Sequence, residues 1–156
     1  MELIISSKGN KYFVKDKKDR LLYTVKKKGF GSKYILYNSS DYNLYTLVQT
    51  GDDRKPSYAI VLNDATFMTF VCKSLFLDPT LTGQGKDANY TLASKDRKNF
   101  NILLGEKEVG TIVTNISVGG ELQYDLAIED KLFDDYIPLF AVMLDRAFGE
   151  MNRPAK

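Results

Sequence analysis

The chain has 156 residues, of which 44% are hydrophobic, and this is enough apolar material for one compact domain to bury a core. Its formal net charge is only +2 and it contains no histidine, so the Ser-His-Asp and Cys-His arrangements of hydrolases and the histidine-containing zinc sites are excluded. An enzyme built from this sequence would have to use carboxylates, lysine or tyrosine.

The first half of the chain contains the same pattern twice. Residues 11–28 (KYFVKDKKDRLLYTVKKK) and 33–50 (KYILYNSSDYNLYTLVQT) align without a gap and share a Lys-Tyr start and a Leu-Tyr-Thr segment. In each copy, two stretches of alternating apolar and polar residues flank a polar turn, KDKKDR in the first and NSSDYN in the second. This pattern is typical of a half-buried β-hairpin.

Two looser hairpins follow, over residues 57–73 with a tight turn at Asn63 and Asp64, and over residues 99–116 with a turn at GEK. Single strands are predicted at ELIIS, NYTLASK and LQYDLAIE, which brings the total to eleven. So many strands in one domain must close into a barrel or form a sandwich, because closure removes exposed strand edges. We therefore expect a mainly β fold.

The stretch TGQGKD, residues 82–87, contains the Gly-Lys pair of a phosphate-binding loop. The complete motif also needs glycine where Thr80 stands and serine or threonine where Asp87 stands. The segment that follows, NYTLASK, is a predicted strand, so no helix N-terminus would face a phosphate. We do not expect nucleotide binding here.

The end of the chain predicts a helix instead. Residues 136–144 (YIPLFAVML) are apolar on every side of a helix, which is typical of a buried one. We expect this helix over about residues 135–149, with Asp134 or Asp135 capping its start and Gly149 ending it. Its length of roughly 20 Å is comparable with the height of a small barrel wall, so the helix is predicted to pass through the barrel interior.

These segments together resemble the LURP-one-related proteins and their short bacterial relatives, which belong with the phospholipid scramblases and the Tubby carboxy-terminal domain. The resemblance covers residues from about 11 to 148 and includes the repeated hairpins, KEVGTIVTN, YDLAIED and the terminal YIPLFAVMLDRAF. It implies a closed antiparallel barrel of about twelve strands around a carboxy-terminal helix. It implies no catalytic residues, and the calcium-binding segment and cysteine cluster of scramblases are missing from this sequence, so scrambling is not expected.

Basic residues are concentrated between Lys8 and Lys33, which gives an electrically asymmetric chain. We predict that an anion-binding patch at one end and rim of the barrel is formed by Lys17, Lys18, Arg20, Lys26 and Lys28. The resemblance supports this prediction, because Tubby-type domains bind phosphoinositides through basic residues on the barrel. The alternative is that these side chains only solvate turns and protect strand edges.

The expected ligand is therefore an anionic lipid surface, and the alternative function is a protein-binding or structural module without lipid affinity. Nucleic acid is not an expected partner, because Tyr12, Tyr23, Tyr34 and Tyr45 recur at equivalent hairpin positions, as core or wall residues do. No apolar run reaches the roughly 20 residues that span a bilayer.

The only cysteine, Cys72, cannot form an internal disulfide and is predicted to pack in the core. Asp145 is predicted to pair with Arg146, a lysine or a wall hydroxyl at the barrel mouth, because a carboxylate near a helix C-terminus meets an unfavourable dipole. We expect one cytoplasmic domain, residues 1–156, which has no cofactor and associates peripherally with the inner membrane surface if the patch binds lipid.

Overall fold

The computed structural model describes residues 1–29 and 32–153. Within these residues, twelve β-strands are followed by a short 3-10 helix, Asp130–Leu132, and by one α-helix, α1, Pro138–Asn152. The strands are β1 (Glu2–Lys8), β2 (Lys11–Asp16), β3 (Leu21–Lys28), β4 (Lys33–Asn38), β5 (Asn43–Gln49), β6 (Ser57–Leu62), β7 (Ala65–Ser74), β8 (Thr80–Gly85), β9 (Asn89–Ser94), β10 (Asn99–Leu104), β11 (Lys107–Ile116) and β12 (Leu122–Ile128).

The strands form one closed antiparallel barrel. Each strand pairs with its neighbours in the sequence, and the barrel closes where β1 pairs with β12, with Glu2 opposite Ala127 and Ser6 opposite Gln123. The predicted closed antiparallel barrel around a carboxy-terminal helix is therefore confirmed. The strand that the alternation pattern missed is β8.

The two ends of the barrel are distinguished by the part of α1 that lies near them. At one end, which we call end N, the Tyr23 hydroxyl of β3 donates to Asp135 Oδ1 at 2.5 Å, shortly before α1 begins. At the other, end C, the Asn152 side-chain amide donates to the carbonyl oxygen of Arg97 at 2.7 Å. End N carries the turns β2–β3, β4–β5, β6–β7, β8–β9 and β10–β11, and end C carries the turns β1–β2, β3–β4, β5–β6, β7–β8, β9–β10 and β11–β12.

The sequence repeat encodes the same turn twice. In the first copy, Oδ1 of Asp16 accepts the backbone N–H groups of Lys18 at 2.9 Å and Arg20 at 3.0 Å. In the second copy, Oδ1 of Asn38 accepts those of Ser40 at 2.9 Å and Tyr42 at 3.0 Å. Asp19 and Asp41 both adopt a positive φ, of 64° and 63°, which Asp tolerates better than most residues. The two copies therefore fold into hairpins with equivalent turns.

The glycines of the TGQGKD stretch have a packing role. Gly83 lies in β8 opposite Phe70 of β7, and a Cβ atom at this position would lie 2.3 Å from the Phe70 ring. A Cβ atom at Gly85 would lie 2.9 Å from the terminal methyl group of Met68. The stretch is thus the end of a strand and the start of the turn to β9, and the predicted strand at NYTLASK is confirmed.

We expect Gly83→Ala to lower the free energy of unfolding by about 1–3 kcal/mol, because the fully buried Phe70 ring must move to admit the methyl group. Urea denaturation measures the change. Gly119→Ala is the matched control, since the space around that glycine is open, and it should change stability by less than about 0.5 kcal/mol. Equal urea midpoints for the two variants would contradict the proposed role of Gly83.

Helix α1 occupies the barrel interior. From Leu139 to Leu144 every residue is at most 1% exposed, so the helix is covered on all its sides by the inward-facing residues of the wall. The largest of these wall residues include Tyr58, Phe70, Phe100 and Tyr124. Within the described ranges, no helix is long and apolar enough to cross a bilayer.

The helix is displaced along the sequence from its predicted bounds of about 135–149. It begins at Pro138. Proline has no backbone N–H, and this costs nothing here because the N–H groups of the first helical turn have no partner within the helix. The residue before Pro138 provides no side-chain cap. The prediction that Asp134 or Asp135 caps the helix is wrong, because the Asp134 carboxylate accepts the backbone N–H of Asp135 and the Asp135 carboxylate accepts the Tyr23 hydroxyl. The helix also continues past Gly149 to Asn152, so the prediction that Gly149 ends it is wrong as well.

Candidate functional site

The five residues predicted to bind anions lie at two ends of the barrel. Lys17, Lys18 and Arg20 belong to the β2–β3 turn at end N, whereas Lys26 and Lys28 lie in the last part of β3, which reaches end C. The extended chain from Arg20 to Lys26 covers about 20 Å. The prediction that these charges share one rim is therefore wrong, because neighbours in the sequence are separated by the length of a strand.

Two of the three predicted residues at end N, Lys17 and Arg20, have carboxylate partners. Arg20 Nε lies 2.7 Å from Asp16 Oδ2, and Lys17 Nζ lies 3.1 Å from Glu2 Oε1. Hydrogen bonds from Arg20, first from its backbone N–H and then from its side chain, hold the pKa of the Asp16 carboxyl below its ordinary value. These charges stabilise the turn, which leaves less positive charge available for an external anion.

Lys26 and Lys28 belong to a larger group of lysines on the outer face. Lys8 in β1 lies opposite Lys11 in β2, and Lys11 lies opposite Lys26 in β3. Lys28 in turn lies opposite Lys33 in β4. We call these five exposed residues the lysine ladder. The charge pattern of the sequence contains all five, but only the strand register shows that they are neighbours.

The lysine ladder is electrostatically unfavourable on its own. Residues directly opposite each other in antiparallel strands have Cβ atoms about 4.5–5.5 Å apart, and like charges in such pairs destabilise a sheet. Among the residues that the structure describes, no ladder lysine forms an ion pair, although the Lys26 ammonium lies 5.4 Å from the centre of the Tyr37 ring. An external anion bridging these lysines would relieve the repulsion.

Charge is distributed unevenly between the two ends. Over residues 1–29 and 32–153, basic residues outnumber acidic ones by two to one at end C, whereas acidic residues are in the majority at end N. The basic residues at end C are the lysine ladder with Lys27, Arg54, Lys55, Lys73, Lys95, Arg97, Lys98, Arg146 and Arg153; the acidic ones are Asp52, Asp53, Asp78, Asp96, Glu121, Asp145 and Glu150. The barrel therefore carries opposite net charge at its two ends.

A buried carboxylate ties α1 to the wall at end C. Asp145 is 4% exposed and accepts the hydroxyl of Tyr12 at 2.5 Å and that of Tyr124 at 2.7 Å. Burial, and then the negative charge of Asp145, raise the pKa of both tyrosines far above their ordinary value. The prediction that Asp145 pairs with a wall hydroxyl is confirmed. Because α1 continues to Asn152, however, Asp145 lies in the middle of the helix and not near its C-terminus, and the two hydroxyl donors compensate for the burial of its carboxylate.

The profile of a known family matches almost the whole chain. It is described as LURP-one-related, and it covers residues 1–145. The chain belongs to the LURP-one-related family. No curated protein matches the sequence of this LURP-one-related chain at a significant level.

A solved structure has the same fold. It is the X-ray structure of a protein from Arabidopsis thaliana, which superposes with a TM-score of 0.60 at 17% sequence identity, over 97% of this LURP-one-related chain and 91% of the plant protein. At this level of identity the likeness shows the fold alone.

A second polar feature of the LURP-one-related barrel is a cavity of about 310 Å³ beside α1 at end C, partly lined by Asp53, Arg146, Glu150 and Arg153. Its positive charge is offset, because Arg153 lies 2.7 Å from the Glu150 carboxylate and the carboxylates of Asp53 and Asp145 also line the cavity. The cavity is thus a weaker candidate anion site than the lysine ladder.

The remaining residues singled out in the sequence lie in the wall or the core. Tyr12, Tyr23 and Tyr34 are buried and Tyr45 is half-buried, as their repeated positions predicted. Cys72 is 6% exposed and its thiol donates to the Ser74 carbonyl oxygen at 3.3 Å, so its predicted packing role is confirmed. Burial also raises the pKa of this thiol, which disfavours the reactive thiolate.

Proposed function

We propose that this LURP-one-related barrel is a non-enzymatic recognition module that binds anionic phospholipid headgroups through the lysine ladder. The observation that carries the proposal is the set of like-charged pairs on adjacent strands, Lys8 with Lys11, Lys11 with Lys26, and Lys28 with Lys33. A surface that holds repelling charges together is suited to an anion with several phosphates or to a surface that carries many of them.

An anionic bilayer supplies such a surface. Each lysine near it contributes about 1 kcal/mol, so the five lysines of the ladder are sufficient for reversible attachment. The cytoplasmic leaflet carries most of the anionic lipid, so a cytoplasmic location with peripheral binding to the inner membrane surface is part of the proposal. We further propose that this chain is related to the phospholipid scramblases and the Tubby domains and is one of the short bacterial-type members. We also propose that residues 1–156 form one domain.

The proposal is tested by co-sedimentation with vesicles of phosphatidylcholine, with and without phosphatidylserine. We expect binding only to the acidic vesicles, and a steep loss of binding with salt, because charges are screened over about 8 Å at physiological ionic strength. Replacing Lys11 and Lys26 by Glu should weaken binding about 30-fold or more, since two contributions of about 1 kcal/mol are lost and two repulsions are added.

The matched control replaces Lys17 and Lys18 by Glu. It changes the net charge by the same amount at end N, and it should retain binding within a few-fold of the original chain. Equal losses for the two double variants would mean that net charge alone governs binding, and the lysine ladder would have no specific role. If the original chain fails to sediment with acidic vesicles at physiological salt, the lipid proposal is wrong, and an acidic protein segment becomes the ligand to test next.

A further inference from the structure

End C also presents exposed apolar side chains at the tips of its turns. In the β7–β8 turn the Phe76 and Leu77 side chains are 69% and 84% exposed, and Val118 in the β11–β12 turn is fully exposed. Exposed apolar tips beside basic residues are characteristic of proteins that dip into a membrane interface, where apolar groups enter the acyl boundary and cations stay with the phosphates.

The β7–β8 turn is held in this conformation by its own hydrogen bonds. The Ser74 hydroxyl donates to the Leu77 carbonyl oxygen, and the Thr80 hydroxyl donates to the Asp78 carbonyl oxygen at 2.6 Å. Leu75, at the start of the turn, is half-buried and packs against the core, whereas the next two residues are exposed. The tip is therefore preorganised to present its apolar side chains, which lowers the entropic cost of insertion.

The apolar tips and the lysine ladder occupy different sectors of the same end. The ladder spans β1 to β4, Phe76 and Leu77 lie between β7 and β8, and Val118 lies between β11 and β12. Only a broad surface that faces the whole end can contact all three sectors at once. A bilayer has this shape, whereas a peptide bound along the ladder would leave both apolar tips in water.

We propose that end C docks upright on an anionic bilayer, with the side chains of Phe76, Leu77 and Val118 inserted into the interface and with end N facing away from the membrane. This inference rests on the proposed lipid binding and adds its orientation and depth. The charge distribution favours it, because the acidic majority at end N is repelled by anionic lipid. The same charges disfavour a second copy as the occupant, since two basic end C surfaces would repel each other.

The chain contains no tryptophan, so a single introduced tryptophan reports on one position. We expect the fluorescence of Leu77→Trp to shift to the blue on addition of phosphatidylserine vesicles and to be quenched by lipids brominated on their acyl chains. Tyr42→Trp is the matched control, because Tyr42 lies in the β4–β5 turn at end N and is 69% exposed, as Phe76 is. Its emission should not respond to either lipid.

A second pair of variants measures the contribution of insertion to binding. Phe76→Ser with Leu77→Ser should weaken binding to acidic vesicles about tenfold or more, and the remaining binding should be more sensitive to salt, because the apolar contribution is unscreened. Tyr42→Ser should bind as the original chain does. Val118→Trp repeats the depth measurement at the second tip.

The outcomes separate this inference from the function on which it rests. If the original chain sediments with acidic vesicles while tryptophan at positions 77 and 118 remains unquenched, headgroup binding stands and insertion is wrong. If it does not sediment with them, lipid binding and insertion are both wrong. Quenching at position 42 instead of position 77 would show that the barrel docks in the opposite orientation. If tryptophan at position 77 shows a blue shift in the absence of vesicles, and this shift increases with protein concentration, a second copy of the chain covers the tips and the inference is wrong.

Discussion

Replacing Leu139 by Asp should unfold the protein. Leu139 is fully buried in the part of α1 that the wall surrounds, so the new carboxylate would have neither water nor a basic partner among the apolar residues on either side of it. The loss of the leucine side chain costs about 2–5 kcal/mol by itself, and burial of an unpaired charge adds several more. The sum is comparable with the whole stability of a typical domain, about 5–15 kcal/mol.

Circular dichroism of the purified variant measures this outcome, since loss of the barrel removes the strand signal and the cooperative thermal transition. Leu139→Met is the control, because a volume-conserving change usually costs less than about 1.5 kcal/mol. A folded Leu139→Asp protein with an unchanged melting temperature would contradict the placement of α1 inside the barrel.

Raising the pH above 10 should also unfold the barrel. Burial raises the pKa of four tyrosines, Tyr12, Tyr58, Tyr124 and Tyr136. The negative charge of Asp145 raises the pKa of Tyr12 and Tyr124 further. These pKa values are higher in the folded state than in the unfolded chain, where they are about 10. Their contribution to stability is therefore complete below pH 10 and is lost as the pH rises above it.

The expected loss is large because it accumulates over several groups. Each such tyrosine lowers the free energy of unfolding by about 1.4 kcal/mol per pH unit above its unfolded pKa, so four of them remove about 5 kcal/mol per unit. Urea denaturation between pH 9 and pH 11 gives the slope. Tyr124→Phe should reduce that slope by about 1.4 kcal/mol per pH unit, because one ionising group is gone. A slope that is unchanged in this variant would show that Tyr124 ionises in the folded protein.

The repeated hairpins and the central helix could be predicted because their signals are local. Alternating residues and polar turns mark the hairpins, and an apolar run on every helix face marks α1. Strand β8 was missed because its glycines interrupt the alternation of apolar and polar residues. These glycines are required by the side chains of Phe70 and Met68 in the neighbouring strand, and the sequence of β8 alone does not show this contact. The start of α1 was misplaced for a similar reason, since the partner of Asp135 is Tyr23, far away in the sequence.

The candidate site was predicted only in part. The charge excess near the start of the chain identifies Lys26 and Lys28, but it groups them with Lys17, Lys18 and Arg20 at the opposite end of the barrel. The true neighbours, Lys8, Lys11 and Lys33, follow from the strand register. The exposed tips at Phe76 and Val118 could not be recognised either, because a single apolar residue in a turn has no periodicity that predicts its exposure.

The closure between β1 and β12 has a consequence for how the protein folds during synthesis. Every other pair in the wall joins consecutive strands, which can form as local hairpins while the chain emerges from the ribosome. The first strand finds its second partner only after residue 128 has been made, and α1 follows later still. Until then the inner face of a nearly complete sheet is open and its first edge is unpaired, so chaperone binding and aggregation compete with folding mainly in this late interval.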